Sequence, residues 1–152
     1  MSAVTIPILE FTRWHRWENR NSIADSQYPG VYVLAITNQD LEGLEVEYDQ
    51  VCYIGMSNSK KGLKGRWGQF AQAIKGNRGR HSGGDTTFRH LGPYNTWDNK
   101  LFVAACPIFC DPDNYSPVDI RNMGIVAYLE YEAFAQFSEK HPNLDKPKYN
   151  TK

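Results

Sequence analysis

Residues 28–55 read YPGVYVLAITNQDLEGLEVEYDQVCYIG, and this stretch decides the fold. Tyr28-Pro29-Gly30 is a turn signal. Val31–Ile36 is an unbroken β-branched and apolar run, the composition of a strand. Residues 37–50 hold Asn38, Gly43 and the acids Asp40, Glu42, Glu45, Glu47 and Asp49. They predict a solvated, hairpin-like connection, with room for a strand extension at Leu44–Tyr48. Val51–Gly55 is a second strand, which Gly55 ends. No helix signal separates the two strands, so they are expected to be neighbours.

Outward from this pair, Ser57–Lys61 is polar and leads into a helix near Gly62–Lys75. Leu63, Trp67, Phe70 and Ile74 recur there at helical spacing. Residues 76–87 are rich in Gly, Arg, Ser and Asp and predict a loop, kept flexible by Gly76, Gly79, Gly83 and Gly84. Leu101–Ala105 is a third strand closed by Pro107. A second helix is expected near Val118–Glu139, burying Ile125, Tyr128, Leu129 and Phe134. The tail HPNLDKPKYNTK is extended and broken by proline. On the other side, residues 11–20, FTRWHRWENR, suit a short helix whose Trp14 and Trp17 share one face. The competing reading is a DNA-touching arm using Arg13, Arg16 and Arg20. The expected order is β-β-α-β-α: an α+β domain with a small three-stranded, antiparallel or mixed sheet flanked by helices. It spans residues 1–152 as one unit, with residues 1–28 packed on it as an extension.

The 152 residues suit one domain with a real core. An apolar fraction of 41% argues against disorder. Cys52, Cys106 and Cys110 are odd in number and follow no framework, so they read as reduced thiols of a cytoplasmic protein. Cys106 and Cys110 find no second Cys or His pair at zinc spacing. The opening MSAVTIPILEF lacks the pattern of a leader. No apolar run approaches the about 20 residues needed to span a bilayer. Lys plus Arg equals Asp plus Glu at 17 each, which hides a segregation of charge. Between Gln50 and Asp85 there is no acid. The same stretch carries Lys60, Lys61, Lys64, Arg66, Lys75, Arg78 and Arg80, with His81 at its end. Such a patch is the footprint of a phosphate-backbone binder.

The tripeptides Gly30-Val31-Tyr32 and Tyr53-Ile54-Gly55, in this order and strand context, resemble the GIY-YIG nucleases; the first appears as GVY, the second is intact. Arg66 in GLKGRWGQF, Glu130 in AYLEYEAF and Asn150 closing KPKYN extend the resemblance over residues 29–150. It implies a GIY-YIG endonuclease fold and metal-dependent hydrolysis of DNA phosphodiesters, with Tyr32, Tyr53, Arg66, Glu130 and Asn150 as the site. Glu130 would hold one Mg²⁺, or Mn²⁺, through its hard oxygens. Arg66 would fork onto phosphate oxygens without losing its charge. A tyrosine, with an ordinary pKa of about 10, needs nearby cations to act as a base. By resemblance Tyr32 activates water, Tyr53 orients water or phosphate, and Asn150 holds the site together.

Several members of that family carry a histidine one helical turn after the arginine, where this chain has Phe70; His81 is the candidate substitute, or a DNA contact. Glu132 is the fallback carboxylate, about 200° around the helix from Glu130. Lys60, Lys61, Lys64, Lys75, Arg78, Arg80 and His81 are the expected DNA contacts. The alternatives are a non-catalytic DNA-binding module on the same fold and a small-ligand or protein-interaction domain. Monomer and homodimer both fit the sequence.

Overall fold

A computed structural model of the chain describes residues 6–151. Residues 1–5, where the absence of a leader was read, lie outside the described residues. Four strands are described: β1 (His15–Arg16), β2 (Gly30–Ile36), β3 (Tyr53–Ser57) and β4 (Leu101–Pro107). They form one antiparallel sheet in the order β1-β4-β2-β3. The helices are α1 (Gly62–Ala73), α2 (Ser82–Leu91) and α3 (Pro117–Lys140). The chain is α+β, as expected, with four strands instead of three.

The apolar run of β2 reflects its place between β4 and β3, where Val33 pairs with both Ala104 and Ile54. Val31, Val33 and Ala35 face one way and pack with Ile54, Phe102 and Ala104. That face is covered by Val126, Leu129, Ala133 and Phe137 of α3, spaced to form one helical stripe. Tyr32 and Leu34 face the other way, with Tyr53, Val103 and Ala105, under Leu63, Trp67 and Phe70 of α1. A strand covered on both faces must be apolar at every position. Tyr128, expected inside, is exposed because it lies beside the α3 stripe instead of on it.

The fourth strand comes from the opening segment. Thr12 N–H donates to Ala105 O at 2.8 Å, and His15 and Arg16 pair with Val103 and Phe102. The segment runs extended there before a 3-10 turn at Trp17–Ser22. Trp14 and Trp17 therefore fall on opposite faces of the sheet, not on one helical face. Leu44–Tyr48 does not extend the hairpin. Leu44 O instead accepts Trp14 N–H, and Gly43 N–H donates to Trp14 O, both at 2.9 Å.

A further correction is α2: of the loop predicted over residues 76–87, residues 76–81 are turns and residues 82–87 are helix. Gly83 and Gly84 are poor helix formers, which masked it. His81 caps its start, accepting Gly84 N–H on Nδ1 at 3.1 Å, and Gly92 at φ 79° ends it. Asp85 in its first turn accepts Gly79 N–H at 3.0 Å and so ties down the preceding glycine-rich turn.

Candidate functional site

The two tyrosines stand on adjacent strands, Tyr32 opposite Gly55, with ring centroids 6.0 Å apart. Gly55 lies inside β3 and does not end it. A Cβ there would sit 2.6 Å from the Tyr32 hydroxyl and ring, so only glycine admits this ring. Gly83 does the same for Tyr53, whose ring occupies the space a side chain would need. Both glycines serve close packing around the tyrosines.

His81 orders the protons of this group. A backbone N–H can only donate, so the bond from Gly84 leaves Nδ1 unprotonated. The neutral ring then carries its hydrogen on Nε2 and donates to Tyr32 Oη at 2.8 Å. Burial, and next the Arg66 charge, hold the His81 pKa down to about 3, so the ring is neutral at physiological pH. The two phenols act electrostatically on one another, and the Arg66 charge acts on both. Burial raises the pKa of both tyrosines; Arg66 opposes it, and for Tyr53 so does Tyr32.

The tyrosines differ in access. Tyr32 is 0% exposed, its hydroxyl enclosed between Gly55 and His81. Tyr53, 7% exposed, lines a cleft of about 500 Å³ with Arg66, Ser82, Glu130, Lys146 and Asn150. The expected convergence of both hydroxyls on one cleft is therefore corrected: Tyr53 faces it and Tyr32 stands behind. Arg66 comes from α1, where its Nη1 donates to Gln69 Oε1 at 2.7 Å. Glu130 comes from α3. Glu132 turns away from this cleft and accepts Gln136 Nε2–H at 3.3 Å, next to Tyr48. The choice of Glu130 over Glu132 agrees with this placement.

Asn150 has a defined structural task. Its Oδ1 accepts Ile54 N–H at 2.9 Å and its Nδ2 donates to Ile54 O at 2.8 Å. Tyr149 N–H adds a bond to Cys52 O at 2.9 Å. The tail so occupies backbone groups along the outer edge of β3. Asp145 and Lys146, which the sequence reading passed over, reach the cleft through this docking.

For a divalent cation, no cluster of three or more His, Cys, Asp or Glu is gathered among the described residues. One carboxylate, Glu130, with Asp145 lining the same cleft, is a set of hard oxygens. This suits Mg²⁺, which keeps several waters and takes one or two carboxylates plus phosphate oxygens. The residues fit that ion and do not fit an all-protein cage.

The expected DNA contacts divide. Lys61 lines a recess that shares Met56 and Arg66 with the cleft. Arg78, with Arg89 of α2, lines another that shares Ser82 and Thr151. Both recesses thus adjoin the cleft through shared lining residues. Lys75 lies in a separate hollow with Trp17, Arg20 and Tyr94. Lys60 is 3.7 Å from Asp113, with both side chains exposed. Lys64 and Arg80 are exposed. His81 is 2% exposed, so its expected role as a surface contact is corrected to one beneath Tyr32 and Tyr53. The competing arm reading of the opening segment fares no better. Arg16 is held at 2.8 Å by Asp40 and by Glu42, Arg13 bonds Gly43 O, and Arg20 stacks on Trp17. A recess of about 570 Å³ between Leu9–Arg13 and Glu45–Tyr48 shares no residue with the cleft.

The three cysteines are all free. Among the described residues, no helix is long and apolar enough to cross a membrane. No protein-family model, curated protein or solved structure matches the chain.

Proposed function

We propose that the chain is a metal-dependent endonuclease of the GIY-YIG type that hydrolyses DNA phosphodiesters. The observation that carries the reading is the meeting of Tyr53, Arg66 and Glu130 at one cleft, with the Tyr32 and His81 rings packed against Tyr53. That arrangement answers the needs of the reaction. Arg66 offers fixed positive charge to the phosphate oxygens as they gain negative charge. Tyr53 is the base: its phenolate accepts the attacking water's proton while Tyr32 O–H and Arg66 stabilise its charge. Tyr32, the base by resemblance, instead backs the Tyr53 ring and is itself held by the bond chain from Gly84 through His81. Glu130, with Asp145, would hold Mg²⁺ or Mn²⁺. When bound, such an ion supplies Lewis-acid stabilisation of the phosphate and helps lower the pKa of neighbouring acids. Asn150 holds β3, and so Tyr53, in place.

The test is cleavage of supercoiled plasmid with and without Mg²⁺. Wild type should nick it only with the metal, and Glu130→Ala should be inactive with an unchanged melting temperature. Tyr53→Phe should slow the chemical step by about 10²–10⁴-fold, the worth of general-base help. Full activity in Glu130→Ala would remove Glu130 from the site. If the wild type binds DNA with a steep salt dependence yet never cleaves it, the protein is the non-catalytic DNA-binding module instead.

A further inference from the structure

Tyr131 follows Glu130 on α3 and is 74% exposed, yet it lines the same cleft as Tyr53, Arg66 and Glu130. Phe134, one turn further along, adds half-buried apolar surface to that wall. Nothing in the reaction described above uses either ring. The cleft is thus cationic at Arg66 and Lys146 and aromatic at Tyr131. That pairing matches a nucleotide, whose phosphate seeks charge and whose base seeks an aromatic face. The cleft volume of about 500 Å³ lies within the range of ligand pockets, roughly 300–1,000 Å³.

In a continuous duplex both faces of every base are covered by its neighbours. An exposed ring at the cleft can engage only a base that has left the stack. The formal net charge of zero points the same way. Few basic residues line the cleft and the recesses that adjoin it, so affinity gains from a contribution that is not ionic.

We infer that Tyr131 is a stacking platform for an unpaired nucleobase next to the phosphate held at Arg66, so that the preferred substrate is DNA with locally unpaired nucleotides. This rests on the nuclease reading. The test is binding of a short duplex and of the same DNA with a central unpaired bubble, each carrying 2-aminopurine, in EDTA and again in Ca²⁺. The wild type should bind the bubble about tenfold more tightly than the duplex and quench its fluorescence. Tyr131→Ala should bring the ratio close to one and abolish the extra quenching; Tyr131→Phe should keep both. A wild-type ratio of one, or an unchanged ratio in Tyr131→Ala, would overturn the stacking role and leave the nuclease reading to plasmid cleavage. Failure to bind either DNA would overturn both.

Discussion

His81 is the residue on which the proton order of the cleft depends. It is neutral in the folded chain and held so by burial, with its pKa lowered to about 3 against about 6.5 in the unfolded chain. The sign of the linkage follows. Below pH 6.5 the unfolded chain binds a proton that the folded chain refuses. Stability is therefore complete above the unfolded value and is lost as pH falls from 6.5 toward about 3. One proton contributes at most about 1.4 kcal/mol per pH unit. His81→Gln should flatten that acid limb, measured as the difference between urea midpoints at pH 7 and pH 5. Equal acid sensitivity in wild type and variant would mean that other groups govern it.

At the scale of elements, α2 is placed by what its glycines allow. Gly83 and Gly68 are both helical glycines, but their surroundings differ. A Cβ at Gly68 meets nothing within 4 Å, whereas one at Gly83 enters the Tyr53 ring. Gly68→Ala should gain up to about 1 kcal/mol from helix propensity. Gly83→Ala should lose about 1–3 kcal/mol through overpacking and shift Tyr53. Thermal melts of the pair check this, and two stabilised variants would show that Tyr53 yields easily. The loop predicted over residues 76–87 holds for 76–81 and gives way to α2 from Ser82 for the same reason. Glycine frequency reports conformational freedom, whereas here two glycines make room for a tyrosine and for Ala73. Strand β3 depends likewise on a distant partner. Asn150 occupies both backbone groups of Ile54 from 96 positions away, and nothing local to β3 announces it.

Across the whole molecule, the basic residues do not act as one patch. Lys61, Arg66, Arg78 and Arg89 line the cleft or the recesses that adjoin it, while Lys75 lies in another hollow. Replacing Lys61, Arg78 and Arg89 together should flatten the log–log salt dependence of DNA binding by about one unit per lost phosphate contact. Lys75→Ala should leave the slope unchanged. An unchanged slope in the triple variant would place the DNA on another face.

The sequence by itself determined the strands β2, β3 and β4 and the helices α1 and α3, because apolar periodicity is a local property that survives without knowledge of neighbours. It also singled out Tyr53, Arg66, Glu130 and Asn150, all of which line the cleft, Asn150 also as the clasp of its edge. Glu130 and Glu132 were separable in advance, since two helical steps turn a side chain to the other side. Only the tertiary structure decided that β1 is a strand, because two residues carry no pattern and owe their form to the edge of β4. It alone decided that His81 is a core residue and that Tyr53, not Tyr32, meets the cleft. Alternation along a strand places both tyrosines on the α1 face. Which of them lines the cleft depends on His81, the cap of α2, whose ring encloses the Tyr32 hydroxyl from 49 positions away.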